Sequence, residues 1–129
     1  MNVAVMGFGT IGSGVVEIIN GSNNEFLKNM QVTKILDLPK NKDKSDLIVC
    51  DIKDIVEDDS IEVVVETMGG LHPAYEFICE ALKHKKHVVT ANKAVVAAYM
   101  QEFIDLAKEN GCKFFIEAST GGDKLVFVR

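Results

Sequence analysis

The feature that most constrains the fold of this chain is a glycine pattern near its start. Gly7, Gly9 and Gly12 are spaced Gly-x-Gly-x-x-Gly, and they directly follow a nearly continuous apolar run at residues 2–6. Isoleucine and valine then recur at the three- and four-residue spacing of a helix. A buried strand, a glycine turn and a helix in this order are typical of the first unit of a dinucleotide-binding fold.

The glycine turn also predicts how a pyrophosphate is held. Gly7 permits a tight turn, Gly9 lets the backbone approach the ligand without an intervening Cβ, and Gly12 lets the helix lie close to the strand. The first backbone N–H groups of the helix point at the ligand, at the positive end of the helix dipole. An ordinary glycine-rich turn is the alternative interpretation. The predicted cofactor-binding residues of the turn are Gly7, Phe8, Gly9, Thr10, Ile11 and Gly12.

Beyond the turn, short β-branched runs alternate with segments of helical periodicity. This order is typical of an α/β fold with a doubly wound parallel sheet of the Rossmann type. The lysine-rich segment at residues 39–44 is expected to be a solvated loop. The pattern predicts one dinucleotide-binding domain over residues 1–122. Predicted strands cover residues 2–6, 32–36, 47–50, 61–66, 87–90 and 113–117, and predicted helices begin at residue 11, cover 52–57, follow Pro73 and cover 99–108.

Composition and charge exclude several other classes of protein. The chain has 129 residues, 47% of them apolar and 26% charged, which suffices for one folded domain. A net charge of −5 without a basic stripe argues against nucleic-acid binding. No apolar run approaches the roughly 18 residues that a membrane span needs. The histidines predict no metal cluster, and Cys50, Cys79 and Cys112 are predicted to be reduced core residues of a cytoplasmic protein.

Asp37 bears on the choice of cofactor, because it ends the predicted second strand, 25 residues after Gly12. A carboxylate there is expected to accept the ribose hydroxyls of a dinucleotide and to repel a 2′-phosphate, which favours NAD. Lys40, Lys42 and Lys44 could instead neutralise such a phosphate. The sequence therefore favours NAD slightly and leaves NADP open.

Further segments carry a resemblance to a known family. They read VVVETMGG at residues 63–70, PAY at 73–75, HVVTANKA at 87–94 and EASTGG at 117–122. Together with the glycine turn, these segments resemble homoserine dehydrogenase. The resemblance implies the N-terminal NAD(P)-binding domain of an enzyme that interconverts aspartate semialdehyde and homoserine by hydride transfer, in threonine and methionine biosynthesis.

The resemblance also implies roles for residues at the carboxyl ends of strands, where ligands bind in open α/β sheets. The turn after the fourth strand is expected to border the adenosine and ribose, and the turn after the fifth to lie nearer the nicotinamide. Lys93 is the predicted catalytic residue, because a cation there could hold a carboxylate or a water and polarise the reacting carbonyl. The residues placed at the cofactor are Thr67, Met68, Gly69, Thr90, Asn92, Lys93 and Ser119.

The sequence departs from the family pattern in two places. Lys85 occupies a helix end at which the family usually has glycine, and residues 123–129 form a divergent tail in place of the family's continuation. The family's substrate domain, with its substrate-binding acids, second lysine and dimer interface, is therefore expected to be absent. We expect a chain that binds NAD or NADP, turns homoserine over poorly, and meets homoserine or aspartate semialdehyde only if a substrate domain is supplied.

Two alternatives remain open from the sequence. The first concerns function: the chain could be a stand-alone NAD(P)-binding module without catalysis. An amino-acid or dihydrodipicolinate type of reductase would explain the glycine turn but not residues 90–93.

The second concerns residues 125–128, which could pair as a final strand with the sheet edge or with a partner chain. A homo-oligomer is therefore also open.

Overall fold

The computed structural model describes residues 1–21, 29–119 and 125–128, and its centre is one seven-stranded sheet. The strand order is β3-β2-β1-β4-β5-β6-β7. The first six strands in this order are mutually parallel, and β7 runs antiparallel to β6. The strands are β1 (Asn2–Met6), β2 (Gln31–Leu36), β3 (Ile48–Val49), β4 (Ile61–Glu66), β5 (His87–Thr90), β6 (Phe114–Ser119) and β7 (Leu125–Val128).

Helices cover both faces of the sheet. On one face, α1 packs against β1 and β2, and Ile19 joins Val3 and Val5 in one apolar cluster. On the other face, α3 packs on β4 and β5 and α4 packs on β6, and Phe103 joins a cluster that contains Ala4. The predicted doubly wound α/β fold is therefore confirmed. The helices are α1 (Thr10–Gly21), α2 (Lys53–Val56), α3 (Ala74–Lys83) and α4 (Lys93–Glu109), with a 3₁₀ helix at Pro39–Lys44.

The central strand β1 determines where a ligand can bind. Its residues 3–6 are fully buried, as a parallel strand covered on both faces requires. The chain leaves β1 towards β2 on one side and later returns to place β4 on the other side. At such a switch in strand order, the loops after the two central strands diverge and leave a crevice beyond their carboxyl ends.

Several predicted boundaries were wrong. Residues 39–44 form a 3₁₀ helix with Pro39 in its first turn, rather than a solvated loop. The last helix begins at Lys93 and not at residue 99, because Asn92 caps it by accepting a hydrogen bond from the Val95 N–H. Tyr99 has non-helical backbone angles (φ −133°, ψ 16°), so the helical path is kinked where the predicted helix starts.

The strand at Leu125–Val128 pairs within the chain. It pairs antiparallel with β6, from Ile116↔Val128 to Ser119↔Leu125. The sheet edge of the same chain is one of the two partners expected for this segment. Residues 120–124 lie outside the described residues. They include Gly121 and Gly122 of the segment at 117–122 that carries the family resemblance.

The cysteines correct another prediction. Cys79 and Cys112 are buried, and burial raises the pKa of both thiols. Cys50, however, is exposed at the end of β3 and is not a core residue. Cys50 directly follows β3, an edge strand of only two residues. The apolar run in the sequence continues through Cys50 and therefore does not show that the strand ends one residue earlier.

Within the described ranges, no helix is long and apolar enough to cross a membrane.

Candidate functional site

The glycine turn joins β1 to α1 in a backbone conformation that depends on two of its glycines. Gly7 has φ +98°, in the region that favours glycine, and its N–H donates to the Leu36 carbonyl at 2.8 Å. A Cβ on Gly12 would lie 1.9 Å from the Gly7 carbonyl oxygen. A Cβ on Gly9 would meet nothing within 4 Å. The turn thus packs tightly on its helix side and is open at Gly9.

The loop after β4 is bonded to the glycine turn. The Thr67 N–H donates to the Met6 carbonyl at 2.9 Å, and its hydroxyl lies 3.0 Å from the carbonyl oxygens of both Met6 and Gly7. A Cβ on Gly7 would lie 2.9 Å from Met68 Cγ. The ends of the two central strands are therefore held together at the switch in strand order.

A cavity of about 480 Å³ opens between the ends of β1, β2 and β4. Its size is within the range of about 300–1,000 Å³ that ligand pockets have. Six of the predicted site residues line it: Gly7, Phe8, Gly9, Asp37, Thr67 and Met68. Lys44, one of the three lysines that the sequence offered as partners of a 2′-phosphate, also lines it. The lining residues that the sequence did not indicate are Leu36, Leu38, Asn41, Cys50, Pro73 and Phe77.

Side chains of opposite charge line the β2 end of this cavity. Asp37 Oδ1 accepts a hydrogen bond from the Leu38 N–H at 2.7 Å, which orients the carboxylate at the start of the 3₁₀ helix. The same helix brings Lys44 into the cavity lining, whereas Lys40 and Lys42 do not line it. The β2 end of the cavity therefore has one carboxylate and one ammonium group in its wall.

The structure places a buried acid that the sequence analysis did not single out. Glu66 ends β4, is 0% exposed, and accepts backbone N–H bonds from Met68 at 2.7 Å and Gly69 at 3.2 Å on Oε2. Its Oε1 accepts the hydroxyl of Thr90. The signal in the sequence that could have revealed Glu66 is a single acid at the end of an apolar strand, directly before the glycine-containing loop.

Two predicted cofactor residues use their side chains inside the protein. Thr90 is fully buried, and besides its bond to Glu66 its hydroxyl accepts the Asn92 N–H at 3.0 Å. Asn92 is 7% exposed; it caps α4 and donates to the Gly70 carbonyl at 2.6 Å. Their contact with a cofactor stays a prediction, but their hydrogen bonds join the loops after β4 and β5.

The remaining predicted residues lie around the same edge of the sheet. Lys93 is exposed in the first turn of α4 and does not line the cavity. Thr10 and Ile11 are exposed in the first turn of α1, where backbone N–H groups have no partner within the helix. The Ser119 backbone ends β6, and its side chain lies outside the described part of the structure. Within that part, no three His, Cys, Asp or Glu side chains form a metal-binding group.

These features fit a dinucleotide better than a general small-molecule site. The pyrophosphate requires close backbone approach, and the open side of Gly9 at the start of α1 allows it. The ribose requires an acceptor at the end of the second strand, where Asp37 lies. Fold, strand order and cavity therefore define a Rossmann-type dinucleotide-binding domain.

Comparison with known proteins gives the family. Residues 7–117 match the family model described as "Homoserine dehydrogenase, NAD binding domain". The chain belongs to the homoserine dehydrogenase family, as its NAD-binding domain, which confirms the resemblance seen in the sequence. The chain spans about 30% of the length of the curated relatives it matches.

Individual relatives agree with this assignment. Homoserine dehydrogenase from Synechocystis sp. is 40% identical over 129 residues, covering 95% of this chain and 30% of that protein. A crystal structure of S. aureus homoserine dehydrogenase at pH 6.5 has a TM-score of 0.77 and 37% identity, over 94% of this chain and 33% of that one. A hyperthermophilic archaeal homoserine dehydrogenase in complex with NADPH has a TM-score of 0.73 and 26% identity, over 90% and 43%.

Proposed function

We propose that this chain supplies the nicotinamide cofactor to the homoserine dehydrogenase reaction. The observation that carries the proposal is the cavity at the switch in strand order, bordered by the open face of Gly9 and by Asp37. A bound nicotinamide dinucleotide accepts the hydride when homoserine is oxidised to aspartate semialdehyde, and it donates the hydride in the reverse reaction. This chain's residues hold the cofactor, and residues 1–122 act as one dinucleotide-binding domain.

Calorimetric titration of NAD and NADP, separately and at fixed salt, tests the cofactor site. We propose that NAD binds more tightly, because the Asp37 carboxylate would lie near a 2′-phosphate and repel it. Lys44, in the same cavity wall, offsets part of that repulsion, and the archaeal relative's complex with NADPH fits this. Asp37→Asn should narrow the difference in affinity, and Lys44→Met should widen it. Binding of neither dinucleotide would contradict the proposal.

For catalysis we propose Lys93. Its exposed ammonium group lies at the carboxyl edge of the sheet, one residue beyond the bonded loops after β4 and β5. A cation at that place can polarise a substrate carbonyl or hold its carboxylate. Thr90, Asn92 and Ser119 are proposed to lie at the nicotinamide side and Gly69 at the adenosine and ribose side, supported by their positions at the ends of β4, β5 and β6.

We propose further that the 129-residue chain alone does not turn homoserine over efficiently. The homoserine dehydrogenases it matches are about three times as long, and positioning of the substrate supplies much of the rate enhancement. A steady-state assay with homoserine and NAD measures this, and clear turnover would contradict it. Dinucleotide binding without turnover, even when a relative's substrate domain is supplied, would favour a stand-alone NAD(P)-binding module. The free, buried thiols of Cys79 and Cys112 fit the proposed cytoplasmic location.

A further inference from the structure

The cofactor cavity does not account for the buried carboxylate of Glu66. It is 0% exposed, and within the described residues no Lys, Arg or His side chain pairs with it. A buried carboxylate is costly unless hydrogen bonds replace its hydration. Two backbone N–H groups and one hydroxyl do so here, and all three donors point at the same carboxylate.

The three donors come from two different segments of the chain. Met68 and Gly69 belong to the loop after β4, and Met68 lines the cofactor cavity. Thr90 ends β5 and begins the segment that leads to Lys93. The carboxylate therefore bridges the loop at the cavity and the loop before the proposed catalytic lysine.

Two further hydrogen bonds connect the same two segments. The Thr90 hydroxyl accepts the Asn92 N–H at 3.0 Å, and the Asn92 side chain donates to the Gly70 carbonyl at 2.6 Å. Gly70 lies in the same loop as the two backbone donors to Glu66. The loops after β4 and β5 are thus joined at two places, and neither can shift without breaking hydrogen bonds to the other.

We propose that Glu66 is a positioning residue that holds the loops after β4 and β5 as one preformed cofactor-binding surface. The proposal rests on the proposed function and adds a residue to it that does not line the cavity. Through Thr67, which is bonded to the Met6 and Gly7 carbonyls, the same network reaches the glycine turn. A surface that is ordered before binding costs less to order when the cofactor arrives.

Lys86 provides a matched control at the other end of the sheet. It is also a buried charged residue, 4% exposed, and its Nζ donates to the Asp58 carbonyl at 2.6 Å. It directly precedes β5, at the amino end of the strand, whereas Glu66 is at the carboxyl end of β4. Lys86→Met should therefore lower stability without affecting the cofactor surface.

The first test needs no cofactor. Amide hydrogen exchange is measured by NMR on the 129-residue chain and its variants. Thr90→Val keeps the shape of the side chain but removes the hydroxyl, and it should raise exchange at the Met68 and Gly69 amides, in the other loop, by at least about tenfold. Thr90→Ser keeps the hydroxyl and should leave these rates within about twofold. Faster exchange in Thr90→Val at Asn92 alone would show independent loops and overturn the proposal.

The second test is calorimetric titration of NAD. Glu66→Gln keeps the size of the side chain but replaces one of its two acceptor oxygens by an NH₂ group. Glu66→Gln and Thr90→Val, each as a single variant, should weaken NAD binding by about tenfold, the scale of one hydrogen bond to a charged group. Lys86→Met should bind NAD within about twofold of the unmodified chain. Equal affinity in all variants would overturn the positioning role. No NAD binding by the unmodified chain would instead overturn the proposed function, and the exchange rates would then decide on the loop coupling.

Discussion

At the scale of single residues, the same substitution meets opposite surroundings at Gly9 and Gly12. Gly9 lines the cavity and nothing lies within 4 Å of its Cβ position, so Gly9→Ala should fold with its free energy of unfolding unchanged or raised by up to about 1 kcal/mol. It should nevertheless weaken NAD binding at least about tenfold, because the proposed function requires a pyrophosphate to approach the backbone at Gly9 without an intervening Cβ. Urea unfolding and NAD titration on the same sample measure both effects.

Gly12→Ala is the matched variant, with the reverse expectation. Its Cβ would lie 1.9 Å from a backbone carbonyl that cannot move away cheaply, so unfolding should become easier by about 3 kcal/mol. If Gly9→Ala lost stability and kept its affinity for NAD, the placement of the cofactor at this turn would be contradicted.

At the scale of the elements, α3 ends in a conformation that its sequence does not favour. Lys85 has φ +64°, and the Lys85 and Lys86 N–H groups bond the Leu82 and Ala81 carbonyls, each at 3.0 Å, as in a Schellman cap. A side chain in the left-handed region costs about 1 kcal/mol. Lys85→Gly should therefore raise the free energy of unfolding by about 0.5–1 kcal/mol, measured by urea denaturation.

The end of α4 supplies the control for that prediction. Gly111, with φ +67°, forms the same cap through the Ala107 and Lys108 carbonyls. Gly111→Ala should lower stability by about 1 kcal/mol, because it creates the strain that Lys85→Gly removes. A loss of stability in Lys85→Gly would show that the lysine side chain contributes more than its backbone costs.

The loop between α2 and β4 introduces a dependence on pH. Hydrogen bonds from Ser60 and the ion pair with Lys34, at 3.0 Å, lower the pKa of Asp58 to about 2. Because the folded-state pKa lies below the ordinary value of 3.8, the stabilisation is complete above about pH 4 and is lost as the pH falls towards 2. Asp58→Asn should thus be less stable than the unmodified chain at pH 7, with a gap that closes towards pH 2.

Ser60→Ala removes the largest cause of that pKa shift and should reproduce part of the gap. Thermal unfolding at intervals from pH 7 to pH 2 follows both variants. A gap for Asp58→Asn that keeps its size across this range would contradict the assignment.

At the scale of the whole molecule, the sequence predicted those features that depend on residues close together in the chain. The glycine turn, the strand alternation and the position of Asp37 each depend on neighbouring residues, and the structure has them where the pattern indicates. Asn41 and Cys50, which the sequence did not indicate, line the cavity because the 3₁₀ helix and the edge strand β3 lie beside the end of β2 in the folded chain. The partners of Glu66 likewise come from two loops joined across the sheet, and a single sequence carries no signal for such pairings.

The three thiols provide a test of the whole arrangement. Cys50 is exposed and lines the cavity, whereas burial raises the pKa of the Cys79 and Cys112 thiols, which lowers their reactive thiolate fraction. A disulfide reagent such as DTNB should modify one thiol quickly and two slowly in the native chain, and Cys50→Ser should abolish the fast phase. Saturating NAD should slow the fast phase by at least about fivefold, because the cofactor and the reagent compete for the same cavity. An unchanged rate with NAD bound would place the cofactor outside this cavity, since no shift of the bulk fold is needed to expose Cys50.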